Sequence, residues 1–331
     1  MTQESTVLLR REDIAALLTM EECIAAVEHA FRMHGEKKAA APGMLGMHGK
    51  DGAFHVKAGF LNLSRAYFAA KVNANYPGNG QRFGLPTIQG VIALFDAENG
   101  RALALMDSTE VTARRTAAAS AVAAKYLARP ESATLTLCGC GVQAPAQVRA
   151  LAAVLPLRRC LVYDVVGERA SKLAQQIAHE LDIEAQAISD LGRGIGESDV
   201  CVTCTTSHDA FLRREYVRQG AFVAAVGADH PEKQELDPAL MASAKVVTDI
   251  TDQCATIGDL HHAITAGAMR TKDVYAELGE VVAGQKSPRQ SPDEVIIFDS
   301  TGMALQDVAA AACVYEKAIA TKRGMRVDLA A

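Results

Sequence analysis

The run Thr136–Gln147, TLCGCGVQAPAQ, has the residue types of a phosphate-binding turn. Gly139-x-Gly141-x-x-Ala144 follows a strand-like run, ATLTLCG, and opens a helix-like one, APAQVRALAAVL. Each small residue has a physical task there. Gly139 permits the tight bend, Gly141 lets the backbone approach a pyrophosphate, and Ala144 allows close helix–strand packing. Val142 and Gln143 complete the turn, where the helix N-terminus offers free N–H groups and the positive end of its dipole. Asp164 closes the next apolar run, 25 residues after Gly139, near the distance at which a carboxylate meets the adenosine ribose. A lone Gly-x-Gly is weak evidence. Its coincidence with strand, helix and spaced acid points to an NAD site. Asp164 would repel a 2′-phosphate, which favours NAD, while Arg169 leaves NADP open.

Two kinds of segment must position this turn. Beyond Pro130, apolar runs such as DVCVTCTT, AFVAAVG, AKVVTDI and EVIIFDSTG alternate with amphipathic helical patterns such as GERASKLAQQIAHEL. Buried strands alternating with helices predict an α/β fold, a Rossmann-type doubly wound parallel sheet, over residues 129–299. Residues 1–128 read differently. Thr19-x-x-Glu22 is a capping box ahead of a helix that Gly35 can end. Ala53–Phe60, Tyr67–Tyr76 and Thr87–Asp96 are strand-like and separated by turns, and ENGRALALMD reads as a hairpin return. STEVTARRTAAASAVAAKYLA is an alanine-rich helix with Asp107 and Glu110 as its cap pair. It ends before Pro130, where the domain boundary is expected. The first segment is thus a helix plus a mostly antiparallel sheet, an α+β unit.

Composition excludes several classes. The 331 residues carry a net charge of −5, no long Lys/Arg run and no Trp, so nothing favours nucleic acid or a membrane surface. No stretch reaches the roughly 18 apolar residues of a membrane span. The N-terminus lacks a secretory apolar core. The eight cysteines are scattered. Cys201-Val-Thr-Cys204 has the spacing of a metal knuckle but no second pair, and it reads as structural thiols in a buried strand, so no metal is expected. A reduced, cytoplasmic protein is expected.

The ordered motifs KVNANYPGN (Lys71–Asn79), GLPTIQGVIALFD (Gly84–Asp96), TARRTAAASAVAAKYLA (Thr112–Ala128), GCGVQA (Gly139–Ala144), VGADHPEKQELD (Val226–Asp237), ELGEVVAG (Glu277–Gly284) and DSTGMALQD (Asp299–Asp307) resemble the ornithine cyclodeaminase/μ-crystallin family. They span most of the chain in the family's order. The resemblance implies that residues 1–128, with a C-terminal return over residues 300–331, form a substrate-binding and dimerisation domain, that the protein is a homodimer, and that hydride passes between a nicotinamide and the α-carbon of an amino or imino acid. It implies that Lys71 and Arg115 hold the substrate carboxylate and that Asp229 moves protons on the substrate nitrogen or on attacking water. Thr87, Gln143, Ser300 and Thr301 match positions near the cofactor.

Physical chemistry agrees with these types. A lysine in an apolar strand asks for an anionic partner, and a guanidinium grips a carboxylate through two hydrogen bonds. The neighbouring Arg114 reads as a solvated helix arginine. The chain also departs from the family. Lys57-Ala58-Gly59-Phe60 stands where many relatives have Met-Pro-Ala-Tyr, and Gly43 lies about where they carry an arginine. Lys57 either supplies the missing substrate-binding charge or faces solvent. His55 aligns with the glutamate that holds the terminal amine of ornithine, and histidine partners an ammonium poorly.

The leading expectation is an NAD(P)-dependent oxidoreductase acting on a small α-imino or amino acid. The alternatives are a cyclodeaminase, a lyase that uses bound NAD catalytically and releases ammonia, and a non-enzymatic ligand-binding protein.

Overall fold

A computed structural model describes residues 5–329. The first four and last two residues, which belong to the expected first domain, lie outside the described residues. In chain order the elements are β1 (Thr6–Leu9), α1 (Arg11–Leu17), α2 (Met20–Gly35), β2 (Gly43–His48), β3 (Ala53–Asn62), β4 (Ala66–Asn75), α3 (Asn79–Phe83), β5 (Ile88–Asp96), β6 (Ala102–Asp107) and α4 (Ser108–Leu127). Then follow β7 (Thr134–Cys138), α5 (Ala144–Ala152), β8 (Arg159–Tyr163), α6 (Gly167–Glu180), β9 (Glu184–Ala187), α7 (Leu191–Glu197), β10 (Val200–Thr203) and β11 (Phe222–Ala225). The last are α8 (Pro238–Ser243), β12 (Lys245–Thr248), α9 (Thr251–Ile257), α10 (Asp259–Thr265), β13 (Ala276–Glu277), α11 (Leu278–Val282), β14 (Ile296–Asp299), α12 (Ala304–Thr321) and β15 (Met325–Val327).

The chain forms two compact units. One runs to Arg115 and resumes at Met303; the other is Thr116–Gly302. The division falls inside α4, not after it at the expected 128/129, and the return begins at Met303, not at residue 300. Helix propensity carries α4 without a break from its cap, where Asp107 accepts the Thr109 and Glu110 amides at 3.0 and 3.1 Å. Glu110 does not complete a reciprocal cap pair; it binds Arg114 at 2.6 Å.

The first unit is built on a seven-stranded sheet in the order β15-β1-β6-β5-β4-β3-β2, antiparallel except where β1 lies beside β6. Alternation along the strands separates its two faces. Leu61, Tyr67, Ala69, Ile92 and Leu94 are buried on one face. α12 covers this face, since Gly59 lies against Leu305 and Ala304. α2 starts in the capping box read from the sequence, Thr19 with Glu22, and Glu22 in turn receives Lys317 of α12 at 2.8 Å. The other face stays open and apolar, with Leu45, Met47, Phe54, Phe60, Val91 and Leu105 exposed.

The second unit is an eight-stranded sheet in the order β13-β12-β14-β11-β10-β7-β8-β9, parallel throughout. From its β9 edge the first five strands follow the Rossmann order, and direction of travel reverses between β7 and β10. Val200, Cys201, Val202, Phe222, Val223, Ile296 and Ile297 are fully buried, as expected for strands covered on both faces. The fold is therefore the mixed α/β class expected. Among the described residues no helix is long and apolar enough to cross a membrane, and no group of three His, Cys, Asp or Glu is placed to hold a metal.

Candidate active site

The glycine turn joins β7 to α5 at the carboxyl end of the parallel sheet, at the strand-order switch point where ligands bind in open α/β sheets. Gly139 has φ +95°, and a Cβ there would lie 2.9 Å from Thr205 Cγ2 and 3.0 Å from the Cys204 carbonyl oxygen. Gly139 is thus required by both dihedral and space. Gly141 is exposed and a Cβ there would meet nothing, so its lack of a side chain leaves the turn's backbone approachable. Val142 is exposed, and Gln143 is the α5 N-cap residue, with Oε1 buried and unpartnered among the described residues.

Asp164, just past β8, is tied to this turn. One oxygen accepts the Cys140 amide at 2.8 Å and the other the Val166 amide at 2.8 Å. Glu235, which the sequence did not single out, buttresses the turn from beneath. It is fully buried and accepts from the Thr205 amide and hydroxyl at 2.7 Å, the Thr203 hydroxyl at 2.7 Å and the Gly227 amide at 2.9 Å. Burial raises its pKa. These bonds fix Thr205, the residue against which Gly139 packs. Gly139→Ala is therefore expected to strain the turn by about 1–3 kcal/mol and to weaken NADH binding by about tenfold or more, measured by quenching or enhancement of nicotinamide fluorescence.

Two other residues expected at the cofactor bond to Asp249. The Ser300 hydroxyl donates to Asp249 Oδ2 at 2.8 Å and the Thr301 hydroxyl to Oδ1 at 3.4 Å, both buried. Asp249 also takes the Gly302 amide at 2.6 Å, so Ser300 and Thr301 form a structural knot at the end of β14. Thr87 is exposed just before β5, its carbonyl accepting the Tyr76 amide at 2.8 Å. Asp229 lies in the loop after β11, on the carboxyl edge of the sheet, with a carboxylate 55% exposed and 2.7 Å from Lys233 Nζ.

In the first unit the sequence-predicted cations converge. Lys71 on β4 and Arg115 on α4 are 3% and 5% exposed, and both reach Asp307 on α12. Lys71 Nζ donates to Asp307 Oδ1 at 2.9 Å and lies 2.8 Å from Oδ2, the latter an ionic contact without hydrogen-bond geometry. Arg115 Nε donates to the same Oδ1 at 2.9 Å, and Nη1 donates to Gln306 Oε1 at 3.0 Å. Arg115 Nη2 and two of the three Lys71 N–H groups have no hydrogen-bond partner among the described residues. Gln306 Nε2 is likewise buried and unpartnered among them. Lys57, on β3, lies directly opposite Lys71 in the β3–β4 register.

The charges in this cluster are unequal: three cations surround one carboxylate. Burial, then repulsion by Arg115, pulls the Lys71 ammonium down to about 7, against the attraction of Asp307. Asp307 remains below the usual carboxylate range, because Lys71 and Arg115 outweigh its burial. A bound carboxylate favours protonated Lys71, so anion binding and proton uptake are linked. The depressed pKa of Lys71 means that its stabilising contribution is present above the unfolded value and lost as pH falls through about 7. The same shift makes the free site less cationic above about pH 7. Affinity for a carboxylate anion at this cluster is therefore expected to fall as pH rises through this value, by up to about tenfold per pH unit. Binding there is expected to take up protons. Calorimetry in buffers of different ionisation heat measures both, and Lys71→Met should remove the proton uptake.

Arg114 does not face solvent as its sequence context suggested. Its side chain binds Glu110 and donates to the carbonyls of Leu18 and of Ala15, the latter at 3.2 Å, clamping the end of α1. Cys201 is buried in β10, and Cys204 Sγ lies 3.5 Å from the Cys138 and Gly139 carbonyl oxygens.

Residues 4–322 match the family model described as the ornithine cyclodeaminase/mu-crystallin family. The chain is 38% identical to an alanine dehydrogenase of Archaeoglobus fulgidus over 97% of its own length and 98% of that protein. Among solved structures, an archaeal alanine dehydrogenase dimer with bound NAD superposes with a TM-score of 0.93 at 37% identity, covering 98% of this chain and 99% of that one. The iminosuccinate reductase of Paracoccus denitrificans in complex with NAD+ superposes with a TM-score of 0.91 at 36% identity, covering 98% and 100%.

Proposed function

The chain belongs to the ornithine cyclodeaminase/mu-crystallin family, and on that premise we propose that it is an NAD-dependent oxidoreductase of small α-amino and α-imino acids. In the oxidative direction the amino acid loses a hydride from Cα and a proton from nitrogen, giving an imino acid, NADH and H+. The observation that carries this reading is the convergence of Lys71 and Arg115 on Asp307, with donors of both cations left unpartnered among the described residues. Buried cations oriented by a fixed carboxylate are suited to a planar anion and position its Cα. Arg115 and Lys71 would hold the α-carboxylate, with Lys57 adding charge beside them. Neutralising that carboxylate makes Cα of a protonated imine more electrophilic.

Gly139, Gly141, Val142 and Gln143 would hold the dinucleotide pyrophosphate, and Asp164 the adenosine ribose. The positive φ of Gly139 and its close approach to Thr205 fit such a turn. Bound NAD(H) supplies the hydride acceptor or donor. Asp164 would repel a 2′-phosphate, which supports NAD over NADP. Asp229 would relay the proton on the substrate nitrogen. Asp229→Asn is expected to lower kcat by about a hundredfold and to remove one limb of the pH–rate profile, while NADH binding is retained.

The open apolar face of the seven-stranded sheet supports a homodimer. Leu45, Phe54 and Phe60 are 54%, 41% and 49% exposed there, and the rings of Phe60, Phe68 and Phe95 lie tilted against one another at centroid separations of 4.8 and 5.9 Å. A second copy of the chain is the occupant we propose, in keeping with the archaeal alanine dehydrogenase described as a dimer. A cytoplasmic setting belongs to the same reading, supported by the eight cysteines, all free.

The test is steady NADH consumption that requires both an α-keto acid and ammonium. Ammonia release from a diamino acid with no net change in NADH would instead make the protein a cyclodeaminase.

A further inference from the structure

We infer that the substrate side chain carries a second carboxylate, received by a row of donors on His55, Lys57 and Asn73. This rests on the oxidoreductase reading above. The register places two adjacent rows on the face of the sheet that α12 covers. One runs Met44–Lys57–Lys71–Ile92, the other Gly46–His55–Asn73–Gly90. Directly opposed residues in antiparallel strands share a face, and successive rows lie about 7 Å apart along the strand. Burial falls along β4 in this direction, while Ala53 at the far end of β3 is again buried. Leu61, Tyr67 and Ala69 are buried, Lys71 is the last buried residue of β4, and Asn73 and His55 are half-buried. The second row therefore lies one step beyond the α-carboxylate cations, towards solvent.

The chemistry of that step is one-sided. Ser108, buried at the start of α4, donates its hydroxyl to Asn73 Oδ1 at 2.6 Å. This fixes the amide so that its Nδ2 hydrogens are the group left to meet a ligand, and Asn73 has no other partner among the described residues. His55 stands opposite Asn73, and the two outer positions of the row are glycines. Neither row contains a carboxylate. An ammonium-bearing side chain would find donors and like charge there.

The charge count points the same way. Lys57 and Lys71 are opposed like charges, an arrangement unfavourable in a sheet unless anions accompany it. Lys57, Lys71 and Arg115 all act electrostatically on Asp307, and the positive field they make together favours an anionic over a cationic substrate side chain. The α-carboxylate would lie on Lys71 and Arg115, and the side-chain carboxylate on Lys57, His55 and Asn73.

The experiment compares kcat/KM for NAD+ reduction with L-aspartate, L-glutamate, L-alanine and L-ornithine, in the wild type and in Asn73→Ala and His55→Ala. A dicarboxylic amino acid should exceed alanine by at least tenfold and ornithine by more. Each substitution should lower the dicarboxylate-to-alanine ratio at least tenfold, chiefly through KM. The wild-type ranking is independent of how well either variant folds. Alanine used as well as aspartate and glutamate, or a ratio unmoved in folded variants, overturns this inference and leaves the oxidoreductase reading standing. No NAD+ reduction with any of the four, nor NADH oxidation in the reverse assay, overturns both.

Discussion

Arg115→Leu is expected to lower kcat/KM for amino and imino acid substrates by about a thousandfold while leaving NADH affinity within about twofold. Removing one partner of a buried, hydrogen-bonded charge pair typically costs about 2–5 kcal/mol of binding, and 1.36 kcal/mol is a factor of ten. The fold should tolerate this change. Arg115 repels Lys71, so its loss lets the Lys71 ammonium recover part of its depressed pKa and pair more fully with Asp307. Asp307 and Gln306 each lose a buried hydrogen-bond partner, so the variant should unfold at a lower denaturant concentration than wild type yet remain folded without denaturant while losing turnover. Arg115→Lys should recover only part of the activity, because an ammonium cannot reproduce the guanidinium's planar pair of hydrogen bonds. Turnover within about threefold of wild type in Arg115→Leu would remove the guanidinium from the carboxylate site.

Asp307→Asn should act differently, on stability first. It leaves Lys71 and Arg115 buried, hydrogen-bonding to an uncharged group. Loss of one member of a buried ion pair costs about 3–5 kcal/mol. The sign with pH follows from Lys71. Its pKa, already brought down to about 7, falls further without the Asp307 charge. A base with a depressed folded pKa loses stability as pH falls through that value. The deficit of Asp307→Asn should therefore deepen below about pH 7, and urea midpoints at pH 6 and pH 8 would measure it. An equal deficit at both values would mean that Lys71 does not change charge in the folded protein.

How far the sequence revealed this site depends on distance along the chain. The glycine turn, its strand, its helix and Asp164 lie within one short stretch, so spacing alone linked them. Lys71 and Arg115 stood out through the family resemblance, and a lysine in an apolar strand also asks for a partner. That partner was not legible. Asp307 is separated from Lys71 by 236 positions and from Arg115 by 192. The available signal was the pair Gln306-Asp307 within the otherwise apolar helix MALQDVAAAACV, both of them buried. Ser300 and Thr301 were placed near the cofactor by the family resemblance alone; that their hydroxyls also meet Asp249 was not legible, because 51 and 52 positions separate them from it. The short strands β1, β2 and β15 escaped notice because their pairing depends on neighbours far along the chain. The division within α4 was hidden because helix propensity continues through Arg115 and Thr116 regardless of which core each side joins.

The central claim is hydride exchange at the substrate α-carbon. It is tested most directly with NADH deuterated at the transferable C4 position, an α-keto acid and ammonium, followed by mass spectrometry of the amino acid formed. One deuterium at Cα per NADH consumed is the predicted result. Consumption of NADH with no deuterium at Cα, or deuterium at a carbonyl-derived hydroxyl carbon instead, would contradict it.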